Sequence, residues 1–138
     1  AAYGLLNLKQ VDTAIANRKS IAEKYREALK HVPGIRFLHD IEGVRHNYAY
    51  FPIFIDEAVY GMSRDTLYET LKTYNIYGRR YFYPLISTFS AYKGLDSANP
   101  ANLPVAHKLA NQVLCLPMFA DLNDADIDRI ITVVANKG

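Results

Sequence analysis

The first quarter of the chain carries a helical pattern of apolar positions. Apolar or small residues recur over 8–32 in alternating steps of three and four, with a single exception. This spacing is typical of one face of an α-helix. Pro33 and Gly34 follow and supply a stop of the kind found just past a helix end. The pattern predicts one long helix over 1–32.

The beginning of this long helix has no capping signal. Residues 1–4 contain no Ser, Thr, Asp or Asn to accept hydrogen bonds from the first backbone N–H groups. A helix with a stop signal and no start signal is expected to begin upstream, so we expect the chain to be a piece of a larger protein. Its length suggests a strut between domains or a coiled coil, and a single short run of heptads favours the strut.

Shorter elements are predicted in the rest of the chain. The apolar and aromatic runs indicate strands near Ile35, over 48–55, over 76–83 and over 113–116. Pro52 indicates an edge strand or a bulge. Helices are expected from the N-cap Ser63 to Tyr74, over 103–111 with Pro104 in the first turn, and after the N-cap Asn123.

These elements predict an α/β fold in a single domain over 1–138. We expect a truncated interdomain helix over 1–32 and a small α/β domain over 33–138. The sheet is expected to be short and mixed or antiparallel, with helices mainly on one face.

Composition and charge exclude several classes of protein. A net charge of +2 is too small to indicate nucleic acid or a membrane surface as a partner. The single cysteine, Cys115, lies in an apolar run, so we expect a buried, unreactive thiol and a reducing compartment, the cytoplasm. The four histidines are scattered, so no metal site is predicted.

Candidate binding chemistry lies among the tyrosines and one arginine pair. The chain has eleven Tyr and no Trp, with clusters at 47–51 and 81–83. Tyrosines suit a wall between a core and a wet cleft, although ordinary strand aromatics also fit. Arg79 and Arg80 beside phenols suit a phosphate or diphosphate, and on a strand only one of them can face a given cleft. The alternative is a solvated edge strand whose charges discourage sheet pairing.

Several segments resemble a known family when they are taken in order. They are Ala-Ala-Tyr-Gly-Leu-Leu-Asn-Leu at the start, the strand opening at Asn47-Tyr48, Tyr81–Leu85, and Pro104-Val105-Ala106 leading to Pro117-Met118. Their order and spacing resemble the C-terminal portion of the DegT/DnrJ family of nucleotide-sugar aminotransferases. These are pyridoxal-phosphate-dependent enzymes of fold type I.

The resemblance implies a reaction for the parent protein. An amino group, usually from glutamate, passes to a keto-deoxyhexose attached to a nucleoside diphosphate, in sugar or polysaccharide biosynthesis. The resemblance also implies a homodimer, and a Schiff-base lysine in a large domain upstream. None of the eight lysines here lies in the family's Ser-rich lysine motif, so no catalytic residue is assigned and the fragment is expected to be inactive alone.

The same resemblance implies the positions of the substrate-binding residues. Arg79 or Arg80, with Tyr81 and Tyr83, would border the nucleotide-sugar. Asn47 and Tyr48 would face the cofactor side. Where many members read H-Y-x-P-L-H, the segment 81–86 lacks both histidines, which leaves the sugar and its keto position open.

Two alternatives remain open at the level of sequence. The chain could be a stand-alone small-molecule-binding regulatory α/β module with a Tyr-rich cleft. It could also be a structural dimerisation domain whose long helix pairs with its twin.

Overall fold

A computed structural model describes residues 2–138. The helices are α1 (Ala2–Leu8), α2 (Val11–Leu29), α3 (Glu57–Tyr60), α4 (Arg64–Thr73), α5 (Pro104–Gln112) and α6 (Asp124–Asn136). The strands are β1 (Ile35–Phe37), β2 (Phe51–Ile55), β3 (Arg79–Arg80) and β4 (Val113–Leu116). Single 3₁₀ turns lie at Ile86–Thr88, Asp96–Ala98 and Pro100–Asn102. No helix within 2–138 is long and apolar enough to cross a membrane.

The four strands form one antiparallel sheet in the order β1-β2-β4-β3. Ile53 of β2 lies opposite Phe37 on one side and Leu114 on the other. Because β2 and β3 both run antiparallel to β4, they are parallel to each other with β4 between them. Of the two arrangements predicted from the sequence, mixed or antiparallel, the sheet has the antiparallel one.

The sheet has an inner and an outer face because side chains alternate along each strand. Phe51, Ile53 and Ile55 point inward and are buried, whereas Pro52 and Phe54 point outward. Helices α2, α4 and α6 cover the inner face, and their core residues are Ile21, Tyr25, Leu29, Leu67, Leu71, Ile127, Ile130 and Val134. Helix α5 lies over the outer face. The prediction of helices mainly on one face is confirmed.

The predicted long helix is interrupted. Lys9 and Gln10 form a turn in which their N–H groups bond three residues back, to Leu6 and Asn7. No residue of α1 is buried. Since packing supplies most of the stability of a helix, an unpacked arm has little to hold it continuous with α2. Ala1 lies outside the described residues, and the division into an interdomain helix and a small domain stays a prediction.

Two predicted strands are shorter than expected. Strand β2 begins at Phe51 because the preceding backbone is bound locally. The N–H of Tyr48 donates to His46 Nδ1 at 2.9 Å, and Tyr48 has a φ of 51°. Strand β3 contains only two residues, so Tyr81 and Tyr83 lie in the turn after it.

The prediction of an edge strand or a bulge at Pro52 is wrong, because β2 is an inner strand and pairs with β4 through Pro52 without an extra residue. Pro52 lies one residue beyond the end of the β1 ladder and pairs only with Cys115 of β4. A residue with no N–H is tolerated where the strand has a neighbour on one side only.

The predicted helix starts are confirmed. Ser63 Oγ accepts a hydrogen bond from the N–H of Thr66 at 3.1 Å, and Asn123 Oδ1 accepts one from the N–H of Asp126 at 2.9 Å. Helix α5 begins at Pro104. The cap at Ser63 orients α4, whose first two turns reach the edge strand β3.

Candidate functional site

The chain turns away from the sheet directly after β3 and encloses a cavity of about 360 Å³. We refer to this cavity as the aromatic cleft. Its walls are Tyr50, Arg79, Arg80, Tyr81, Phe82, Tyr83 and Pro84. The cleft therefore contains all four residues of the arginine–tyrosine segment that the sequence singled out.

Ring packing shapes the turn that closes the cleft. Phe82 has a φ of 47°, and its ring centroid lies 4.2 Å from that of Tyr81. The ring of Tyr81 also packs against Tyr50, with centroids 5.4 Å apart. These contacts join the residues that precede β2 to those that follow β3.

Arg80 is held against helix α4. Its guanidinium carbon lies 4.7 Å from the ring centroid of Tyr68 and 4.4 Å from that of Tyr83. Its Nη1 donates to the Asp65 carboxylate at 3.2 Å. Aromatic faces attract cations at such distances, so Arg80 ties the wall of the cleft to the helix beside it.

A second arginine supports the same wall from inside the fold. Arg64 is 2% exposed, and its Nη1 donates to the carbonyl of Val113 at 3.0 Å. Its Nε donates to Asp65 at 2.8 Å, and its guanidinium carbon lies 4.8 Å from the ring centroid of Tyr83. Tyr83 thus packs against two guanidinium groups.

Arg79 differs from both of these arginines. It is exposed and, among residues 2–138, it forms no hydrogen bond or ion pair through its side chain. A planar guanidinium with unused N–H donors can grip an anion with two parallel hydrogen bonds. The cleft therefore offers a cation together with several phenol hydroxyls.

Asn47 and Tyr48 lie beside the cleft and do not line it. Tyr48 is buried, and its O–H donates to Asp40 at 2.5 Å. Hydrogen bonds from Arg26 and from Tyr48 lower the pKa of Asp40 to about 2. The backbone carbonyl of Asn47 accepts two hydrogen bonds from Arg18, at 3.1 and 2.9 Å.

An apolar groove adjoins the aromatic cleft and shares Tyr81, Phe82 and Pro84 with it. Its volume is about 550 Å³. It runs between α5 and the outer face of the sheet, and its other main wall residues are Leu38, Pro52, Phe54, Leu85, Leu109 and Val113. The aromatic cleft and the apolar groove therefore form one continuous depression, and the aromatic cleft is its polar end.

Other reactive groups lie away from these cavities. Cys115 is buried, as predicted, and burial raises the pKa of its thiol to about 11. Within 2–138, no group of three His, Cys, Asp or Glu residues could hold a metal ion. No lysine lines either cavity.

Sequence reasoning missed the contribution of α4 to the site. Asp65 and Tyr68 hold Arg80, yet they lie more than ten residues before it in the chain. The signal in the sequence was slight, because a polar residue and an aromatic residue on a helix are typical of an ordinary solvent-exposed face.

Comparisons with known proteins give a consistent result. Residues 1–135 match the family model described as the DegT/DnrJ/EryC1/StrS aminotransferase family. A curated relative, the dTDP-4-amino-4,6-dideoxy-D-glucose transaminase of Escherichia coli, is 46% identical over 99% of the chain and 37% of its own length. The spore coat polysaccharide biosynthesis protein SpsC of Bacillus subtilis is 31% identical over 97% of the chain and 34% of its own length.

A solved structure has the same fold. DesI, crystallised with its TDP-sugar product, superimposes with a TM-score of 0.88 and is 31% identical, covering 96% of the chain and 33% of DesI. The chain spans about a third of the length of the curated relatives it matches.

Proposed function

Because the chain belongs to the DegT/DnrJ/EryC1/StrS aminotransferase family, we propose that it forms the C-terminal small domain of a sugar aminotransferase. The full-length enzyme transfers an amino group to a keto-deoxyhexose carried on a nucleoside diphosphate. The observation that carries this proposal is the family match over 1–135, which spans almost the whole chain. The aromatic cleft is the proposed substrate site on this domain.

The names of similar proteins support a thymidine nucleotide. The Escherichia coli relative is named for a dTDP-linked amino sugar, and DesI was crystallised with a TDP-sugar product. We therefore propose a thymidine-diphosphate-linked 4-keto-6-deoxyhexose as the substrate. Glutamate is the proposed amino donor, and the product is expected to enter sugar or polysaccharide biosynthesis.

The side chains of the cleft suit this substrate. Arg79, Arg80, Tyr81 and Tyr83 are proposed to border the nucleotide-sugar. Guanidinium groups neutralise and orient a diphosphate, and phenol hydroxyls donate to sugar oxygens. Holding the sugar in one orientation fixes the position of its keto carbon, and orientation of this kind accounts for a large share of enzymatic rate enhancement.

Asn47 and Tyr48 are proposed to face the cofactor side. The phenol of Tyr48 is already bound to Asp40, so it would contribute a fixed wall rather than a mobile donor. The Asn47 side chain accepts from the N–H of Ala49 at 3.1 Å, which leaves its amide N–H groups available to a ligand.

The family uses pyridoxal phosphate. When bound, this cofactor supplies the amino-transfer chemistry through a Schiff base with a lysine. No lysine lines the aromatic cleft or the apolar groove, so neither cavity offers that attachment. We propose that the rest of the enzyme holds the cofactor and that this domain binds and orients the sugar.

Two further proposals concern the assembly and its location. We propose a homodimer, as the family resemblance implies, and light scattering on the full-length protein tests it. A cytoplasmic location fits the buried free thiol of Cys115.

An amino-transfer assay tests the proposed function. The full-length protein is supplied with pyridoxal phosphate, glutamate and thymidine-diphosphate 4-keto-6-deoxyglucose, and the sugar product is measured by mass spectrometry. We expect an amino sugar and an equal amount of 2-oxoglutarate. A protein that binds pyridoxal phosphate but aminates none of a panel of nucleotide keto-sugars would refute the proposal.

A further inference from the structure

We infer that the two adjacent arginines of the cleft have different roles. Arg79 binds the diphosphate of the substrate, and Arg80 is a positioning residue that holds Tyr83 in the wall of the cleft. This inference rests on the proposed nucleotide-sugar function and assigns the residues of the same site.

The strand register places the two side chains on opposite faces of the sheet. Paired residues on neighbouring antiparallel strands share a face. Arg79 pairs with Cys115, which pairs with the outward-pointing Pro52, so Arg79 belongs to the outer face. Arg80 pairs with Leu114, a core residue, so it belongs to the inner face at the edge of the sheet.

The contacts of Arg80 hold it in one place. Its guanidinium carbon lies within 5 Å of two ring centroids, 4.7 Å from that of Tyr68 and 4.4 Å from that of Tyr83. The Asp65 carboxylate neutralises part of its charge. Its side chain is 32% exposed. A group fixed by three neighbours is suited to positioning Tyr83.

Arg79 has none of these partners. Within 2–138 its side chain has no hydrogen bond, no ion pair and no aromatic ring stacked against it, and it is exposed in the cleft wall. Its N–H donors are therefore all available to a ligand. Arg79 lines the cleft and not the apolar groove, so an anion on Arg79 lies in the cleft.

Binding measurements on the full-length protein separate the two roles. Thymidine diphosphate and thymidine are the probes, and saturation-transfer NMR and calorimetry measure their dissociation constants. The variants are Arg79→Gln and Arg80→Gln. Arg36→Gln is the matched control, because it removes one exposed positive charge from β1, at the opposite edge of the sheet from β3.

We expect Arg79→Gln to weaken thymidine diphosphate by about 10- to 100-fold, the effect of losing a hydrogen-bonded charge pair, and to leave thymidine unchanged. Arg80→Gln is expected to weaken both probes by a similar factor, since it loosens the wall that both contact. Arg80→Gln should also lower the midpoint of thermal unfolding, whereas Arg79→Gln should not. The control should bind both probes like the original protein.

Two results would overturn the division of roles. One is thymidine diphosphate binding that is unchanged in Arg79→Gln. The other is a loss in Arg80→Gln that is selective for the diphosphate and leaves thymidine unaffected. If the original protein binds no thymidine diphosphate at all, the proposed function fails, and the assignment of Arg79 fails with it.

Discussion

Replacement of Arg64 by Met tests whether the buried guanidinium ties helix α4 to the sheet and to the wall of the aromatic cleft. Met retains a long apolar side chain but has no N–H donors. The change removes the hydrogen bond to Val113 at 3.0 Å, the pair with Asp65 at 2.8 Å and the contact with Tyr83. The carbonyl of Val113 also loses its charged donor.

The expected cost follows from these contacts. A hydrogen bond from a charged group contributes about 1.5–3 kcal/mol, and the pair with the half-exposed Asp65 adds about 0–1 kcal/mol. The Met variant no longer buries a charge, and this gain offsets part of the loss of the hydrogen bond and the ion pair. We expect the free energy of unfolding to fall by about 2 kcal/mol. With an unfolding entropy of about 0.3 kcal/mol/K for a chain of this length, the midpoint falls by about 7 °C.

Thermal unfolding followed by circular dichroism measures this effect. Arg36→Met is the control, since Arg36 is an exposed arginine on β1 and its replacement should shift the midpoint by no more than about 2 °C. If Arg64→Met lowers the thermal midpoint by no more than Arg36→Met does, the reasoning is refuted. Such a result would show that the buried contacts do no more than offset the cost of burying the charge.

Three further predictions concern other parts of the fold. Hydrogen bonds to Asp40 lower its pKa to about 2, so its contribution is present above pH 4 and is lost as the pH falls towards 2. The difference in urea midpoint between the original chain and Asp40→Asn should therefore shrink over that range, and a difference that stays constant would contradict the role of these hydrogen bonds. Burial raises the pKa of Cys115 to about 11, so iodoacetamide should label it far more slowly in the folded chain than in urea, and equal rates would contradict its burial. Asn123→Ala should cost about 1 kcal/mol of unfolding free energy through loss of the helix cap, and a cost no larger than that of the exposed Asn111→Ala would rule out the cap.

Local signals in the sequence predicted much of the fold. Ser63 and Asn123 cap helices because their side chains can reach N–H groups three residues ahead, which the sequence alone specifies. Strand β4 was equally clear, since four consecutive apolar residues are buried from both faces. The family resemblance is also confirmed, because a family model matches residues 1–135.

Features that depend on competition between local and long-range contacts were not predictable. The aromatic alternation around Tyr48 indicates a strand. The backbone N–H groups there donate instead to the side chains of His46 and Asn47, so this segment does not join the sheet. The break at Lys9 and Gln10 follows from missing packing rather than from a helix-breaking residue.

The binding site was predicted only in part, because some of its contacts come from tertiary packing. Adjacent arginines on a strand leave opposite faces, so the sequence predicted that only one of Arg79 and Arg80 could face a given cleft. Both line the aromatic cleft, because the cleft lies at the end of a two-residue edge strand. Which of the two is held by the fold depends on Asp65 and Tyr68, and only tertiary packing brings α4 against β3.

Hydrogen–deuterium exchange of the full-length protein, with and without a thymidine-diphosphate sugar, tests most directly whether the aromatic cleft binds the substrate. We predict slower exchange of the backbone N–H groups of 79–83 and of Tyr50 when the sugar is bound. Exchange in α6, on the opposite side of the sheet, should not change. Saturating binding of the sugar with no change of exchange anywhere in the cleft would contradict the proposed site.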